Sequence, residues 1–127
     1  MTVGDKLTTV VTVTEAQTAK AMGSGDLPVL ATPALIAIME NTAMQCSIPA
    51  LHKGETTVGT EINIKHLRAA KVGAVVETTA ELIDAKGHKG RQMIFHVSST
   101  VDGEEIGEGF HVRYVVDAER FMAKFNE

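Results

Sequence analysis

Thr32-Pro33-Ala34-Leu35-Ile36-Ala37-Ile38-Met39-Glu40-Asn41-Thr42-Ala43-Met44-Gln45-Cys46-Ser47 is the stretch on which the fold turns. Thr is a good N-cap and Pro is favoured at the first helical position, so a helix is expected to open at Thr32-Pro33. Leu35, Ile38, Met39, Thr42, Ala43 and Cys46 then recur at helical spacing. Ala34, Ile36, Ala37 and Met44 make the other faces apolar as well, the pattern of a helix buried nearly all round. Ser47-Ile48-Pro49 should end it.

Outward from that helix the chain reads as strands. Upstream, Leu7 to Val13 is rich in Val and Thr and alternates. Thr14 and Gln17 then form a capping-box pattern, opening a short helix to Met22-Gly23. Downstream, Thr57 to Leu67 alternates, with Val58, Ile62 and Ile64 expected on one face. Val72 to Ile83, Gln92 to Val101 and Ile106 to Val116 follow, separated by a turn at Gly87 to Gly90 and by Asp102-Gly103, a strong hairpin signal. Asp117 is placed to cap a last short helix through Phe125. Consecutive strands on short turns are antiparallel. One apolar helix against such a sheet is a two-layer α+β arrangement, the sheet wrapping the helix.

With 127 residues, 44% hydrophobic and 22% charged, the expectation is one domain over 1–127 with a real core. A net charge of −4 argues against nucleic acid as a partner. No apolar run is long enough to cross a bilayer, and the N-terminus has no secretory pattern, so no membrane partner is expected. The single cysteine, Cys46, excludes an internal disulfide and a multi-cysteine metal site, and fits a reducing cytoplasm. There is no His-Glu-x-x-His and no Gly-rich phosphate loop. Neither a metal nor another cofactor is expected.

Between Leu27 and His52 the one charged side chain is Glu40. Its neighbours three and four residues away, Ile36, Ala37, Ala43 and Met44, are apolar, so its carboxylate is costly to ionise unless paired. It is a candidate general base, or a carboxylate at a solvated edge or dimer contact. Thr32, two turns earlier, is a cap whose hydroxyl could also meet a ligand at the helix start, where backbone N–H groups favour negative charge. His66 follows Ile62 and Ile64 on their strand face and could reach a pocket. His52 and His88 read as loop and turn; His96 and His111 could be structural or functional. Lys65, Arg68 and Lys71 form a basic cluster, either a solvated strand end or a docking point for phosphate. Gly107-Glu108-Gly109, inside a strand, reads as a bulge or a close backbone approach.

Ala31 to Glu40 resembles the central-helix motif of hotdog-fold acyl-CoA thioesterases, most nearly the fluoroacetyl-CoA type. Val58-Gly59-Thr60-Glu61-Ile62-Asn63-Ile64-Lys65-His66 is similar to the next motif, and Glu105 to Arg113 to the closing strand. The resemblance implies a curved antiparallel sheet around one long helix and hydrolysis of an acyl-CoA thioester. It also implies a homodimer or higher homo-oligomer with sites at the subunit interface. By position it implies Thr32, Glu40 and His66 as catalytic residues and Gly59 and Arg113 as substrate-binding ones. Gly59 could offer its backbone N–H to the developing oxyanion, and His66 could carry the proton. Glu40 and Thr32 share the rest: Glu40 activates water while Thr32 orients the acyl group, or one of them attacks directly. Residues 19–31 hold no aromatic, and Asn41 stands where the fluoroacetyl type has Trp. A general short-chain or otherwise unassigned acyl-CoA thioesterase is therefore expected rather than a fluoroacetyl-selective one. Two rival functions are a non-catalytic acyl-CoA-binding module and an enoyl-CoA hydratase, whose usual helical Asp and His are missing here.

Overall fold

In the computed structural model, which describes residues 1–126, five strands form one sheet: β1 (Lys6–Thr12), β2 (Glu55–His66), β3 (Val75–Lys86), β4 (Gln92–Val101) and β5 (Glu104–Asp117). Their order is β1-β3-β4-β5-β2, and every pairing is antiparallel. The β4–β5 hairpin turns through Asp102 (φ 51°) and Gly103 (φ 78°), the pair of positive φ angles that a tight two-residue hairpin demands. Helix α1 (Ala19–Met22) and the long α2 (Thr32–Ser47) lie between β1 and β2, and α3 (Ala118–Ala123) follows β5.

Helix α2 packs on the concave face of the sheet. Leu35, Met39 and Ala43, all 0% exposed, meet a sheet lining that includes Val76, Ala80, Leu82, Phe95 and Val97. This is the curved sheet around one central helix that the resemblance implies. Burial of several large apolar side chains, each worth about 1.5–3 kcal/mol, fixes the helix on the sheet.

Four expectations change in detail. Helix α2 is buried on one side only: Pro33, Ala37, Asn41 and Gln45 are exposed, while Ile36, Glu40 and Met44 are half-buried. This outer stripe, apolar in its first half and carrying Asn41 and Gln45 further along, is therefore uncovered in a single chain. Thr32 does not cap the helix; Ala31 holds that position without a side-chain bond, and Thr32 is already the first helical residue. The helix expected from Thr14 to Met22 is two pieces, a capped 3-10 turn over Glu15–Gln17 and α1. Thr18 between them is extended and buried, because it bridges to Leu30. Finally, the β2–β5 register shifts between Gly59 and Glu61. Such a bulge reverses the parity of a strand, so Val58 does not share a face with Ile62 and Ile64.

Candidate functional site

Two groups of polar side chains lie along α2. The first is at its N-terminus. Because Thr32 is not spent as a cap, its hydroxyl is free, and Oγ1 lies 2.8 Å from Nδ1 of His66. His66 reaches it from the last residue of β2, where it pairs with Gly107 of β5. The other ring nitrogen, Nε2, is buried and has no hydrogen-bond partner among the described residues. An unsatisfied buried polar atom costs about 1–3 kcal/mol, so it calls for a ligand or another chain. A cavity of about 330 Å³ opens here, lined by Thr32, His66, Leu30, Val29 and Arg68 among others.

The second group is two turns along, roughly 12 Å at the rise of an α-helix. Glu40 is not in the dry setting that its apolar neighbours suggest: its side chain is 40% exposed, and Oε2 lies 3.8 Å from Nη1 of Arg113. Arg113, 7% exposed, is held by three bonds: Nε donates to the Thr57 hydroxyl (2.8 Å), Nη2 to the Thr57 carbonyl (3.0 Å) and Nη1 to Nε2 of His111 (3.0 Å). Burial lowers the Arg113 pKa and Glu40 works against that; a guanidinium keeps its charge throughout the physiological range. His111, 1% exposed, donates from Nδ1 to the Glu61 carbonyl at 2.8 Å, beside the β2 bulge. Its pKa is lowered, first by burial, with Arg113 adding to the effect; the Glu61 bond and Glu40 oppose it.

Gly59 completes the second group. A Cβ there would stand 2.8 Å from Oε2 of Glu40, 3.1 Å from Cε1 of His111 and 3.4 Å from Nη1 of Arg113. The missing side chain is the space that the carboxylate occupies. Gly109 likewise permits close approach: a Cβ would collide with the Asn63 carbonyl of β2.

The five sequence candidates thus divide in two within one chain: Thr32 with His66, and Glu40 with Gly59 and Arg113. Thr57 has no role in the sequence reading, and His111 stands there as either structural or functional. The available signal was His111 two residues from Arg113 on the same strand face, with Gly107 and Gly109 on that face too. Of the other histidines, His52 and His88 are exposed, and His96 sits on the outer sheet face against Glu108 (3.1 Å) and Phe110. Lys65, Arg68 and Lys71 are exposed, and Arg68 pairs with Glu104. A larger groove of about 630 Å³, lined by Val10, Val11, Met22, Ala37, Asn41 and Gln45 among others, lies on the β1 side of α2, away from both groups.

Comparison with known proteins gives a consistent result. A family model for fluoroacetyl-CoA-specific thioesterases matches residues 13–119. The fluoroacetyl-CoA thioesterase of Streptantibioticus cattleyicolor is 35% identical over 99 residues, which span 78% of this chain and 69% of that protein. A crystallised variant of a fluoroacetyl-CoA thioesterase in complex with acetyl-CoA is similar with a TM-score of 0.91 at 31% identity, over 99% of this chain and 97% of that one. A Thermus thermophilus protein described as a thioesterase superfamily member has the same fold, with a TM-score of 0.89 at 24% identity over 98% and 90% of the two chains.

Proposed function

The chain belongs to the fluoroacetyl-CoA-specific thioesterase family, and from that premise we propose that it hydrolyses short-chain acyl-CoA thioesters at a composite site between two copies. It is an acyl-CoA thioesterase by this membership. The finer reading rests on one observation: Thr32 and His66 are bonded to each other with the imidazole Nε2 buried and bare, while Glu40 waits two turns away. Within one chain the two groups are eight helical residues apart, roughly 12 Å along the axis. A second copy, docked on the uncovered outer stripe of α2, brings the Glu40 of one chain to the His66 of the other. His66 then moves the proton, and Glu40 either activates water or attacks the carbonyl. The Gly59 backbone is our donor for the oxyanion, and Arg113 holds positive charge beside the carboxylate. The absence of aromatics between residues 19 and 31 favours a general short acyl group over fluoroacetyl selectivity. The single buried thiol Cys46 favours a reducing cytoplasm.

Subunit mixing tests this reading. Glu40→Gln and His66→Ala are each expected to lower kcat by about a hundredfold or more, the scale for a lost general base. Refolded together, they are expected to regain about a quarter of the wild-type rate, because half of the dimers then carry one intact site. No recovery on mixing would place the site within one chain. A fully active Glu40→Gln enzyme would remove Glu40 from the chemistry.

A further inference from the structure

We propose that His111 is a positioning residue of this thioesterase: it holds the Arg113 guanidinium off Glu40, so that the carboxylate has a cation beside it and a free oxygen to react with. The inference rests on Glu40 being the reacting carboxylate, as argued above. Its starting point is a distance. Nη1 of Arg113 lies 3.8 Å from Oε2 of Glu40, beyond a hydrogen bond, although the two are opposite charges with no side chain between them. A buried guanidinium next to a carboxylate ordinarily closes to a bidentate contact. Here the closing motion is blocked because Arg113 is held on three of its nitrogens by Thr57 and His111. Of these, the bond to His111 is the one made by Nη1, the atom that faces Glu40.

The tautomer makes that restraint possible. Nδ1 of His111 donates to the Glu61 carbonyl, so Nε2 carries a lone pair and accepts from Arg113. Burial favours the neutral ring, which keeps this acceptor in place. A contact ion pair between Arg113 and Glu40 would tie up the lone pairs that take a proton from water or attack the carbonyl. Held apart, the same charge stabilises the carboxylate without occupying it. Among the described residues, the charged group that faces Glu40 is Arg113 of β5, with the neutral His111 ring beside it; the nearest position on β2 is Gly59, which brings none.

His111→Leu, which keeps volume and removes the acceptor, is expected to lower kcat about 10- to 100-fold with KM within about twofold, the size of effect a 1 Å misplacement produces. His111→Gln, whose side-chain oxygen can still accept from Nη1, is expected to recover most of that loss at a comparable Tm. Equal losses in both variants would assign His111 to packing, and full activity in His111→Leu would remove it from the machinery. Should His111→Leu fail to fold, ring-nitrogen NMR of the wild-type enzyme decides. A Nδ1–H tautomer with an unprotonated, hydrogen-bonded Nε2 is expected, and the reverse tautomer would overturn the proposal. Glu40→Gln is measured alongside: an inactive Glu40→Gln with an active His111→Leu defeats only this inference, whereas an active Glu40→Gln defeats the site itself.

Discussion

At the start of α2, Thr32 and His66 share a single hydrogen bond, and the imidazole's second nitrogen has no partner among the described residues. Two turns later, Arg113 and His111 are tied to Thr57, Glu61 and each other, and both are almost wholly buried. The first group is under-determined and the second over-determined. On the function proposed above, that difference matches two tasks. A proton carrier needs an open valence towards the reacting atoms, whereas a fixed charge needs a scaffold that does not move when charge develops beside it. Thr57, Glu61 and His111 supply that scaffold at the middle of the helix; the N-terminal pair leaves its place open for what arrives.

The sharpest way to break this contrast is to fill the space at Gly59. Gly59→Ala puts a methyl 2.8 Å from Oε2 of Glu40 and 3.1 Å from the His111 ring. The carboxylate is the movable neighbour, so the fold should hold while kcat/KM falls about a hundredfold or more. Circular dichroism melting beside steady-state kinetics checks both halves. An unaffected rate would mean that Glu40 does not react from this position.

The N-terminal group should respond more gently and to chemistry rather than volume. Thr32→Ala is expected to lower kcat about tenfold if the hydroxyl only orients, and about a hundredfold if it attacks, while Thr32→Ser keeps most of the rate. Because Thr32 makes no cap bond, its Tm should move by less than the ~1 kcal/mol that loss of a true cap produces. A Tm drop of full cap size would return the residue to a structural role.

The smallest effect is in pH. His111 has its pKa lowered on folding, so the unfolded chain takes up the proton first as pH falls. Its contribution to stability is complete above about pH 6.5 and is lost progressively below that value. Tm should therefore fall more steeply between about pH 7 and 5 in the wild type than in His111→Gln. Equal slopes would show that other groups carry the acid sensitivity.

Much of this was legible before any coordinates. The spacing from Leu35 to Cys46 gave the helix, and Asp102-Gly103 marked the hairpin. What resisted reading was strand parity near the site. In β5 the apolar Phe110, Val112 and Tyr114 suggest a core face, yet Phe110 and Tyr114 point outward at 50% and 37% exposure, while His111 and Arg113 point inward. Hydrophobic alternation identifies a buried face only where the core is apolar; here the interior is given over to a charge and its supports, and the pattern inverts. In β2 the bulge at Thr60 resets the parity and moves Val58 off the face of Ile62 and Ile64, and its local cue is Gly59 just before it, of the kind read at Gly107 and Gly109. The place of Thr32 was obscured for a related reason: Thr before Pro reads equally as a cap, and only the placement of the cap one residue earlier, at Ala31, frees the hydroxyl.

Strand β2 is an edge of the sheet, hydrogen-bonded along its length to β5 alone. It nevertheless carries Thr57, Gly59, Glu61 and His66, one or more members of each group on α2. Edges are where a native sheet opens first, in local fluctuations that leave the rest of the structure intact. Detachment of β2 would release the guanidinium, the imidazole tautomer and the Thr32–His66 bond together, while the β3–β4–β5 meander stayed folded around its apolar lining. On the proposed site, catalytic competence and global stability are therefore separate quantities: the first would follow how firmly β2 stays paired to β5 along the register from Glu55 to His66.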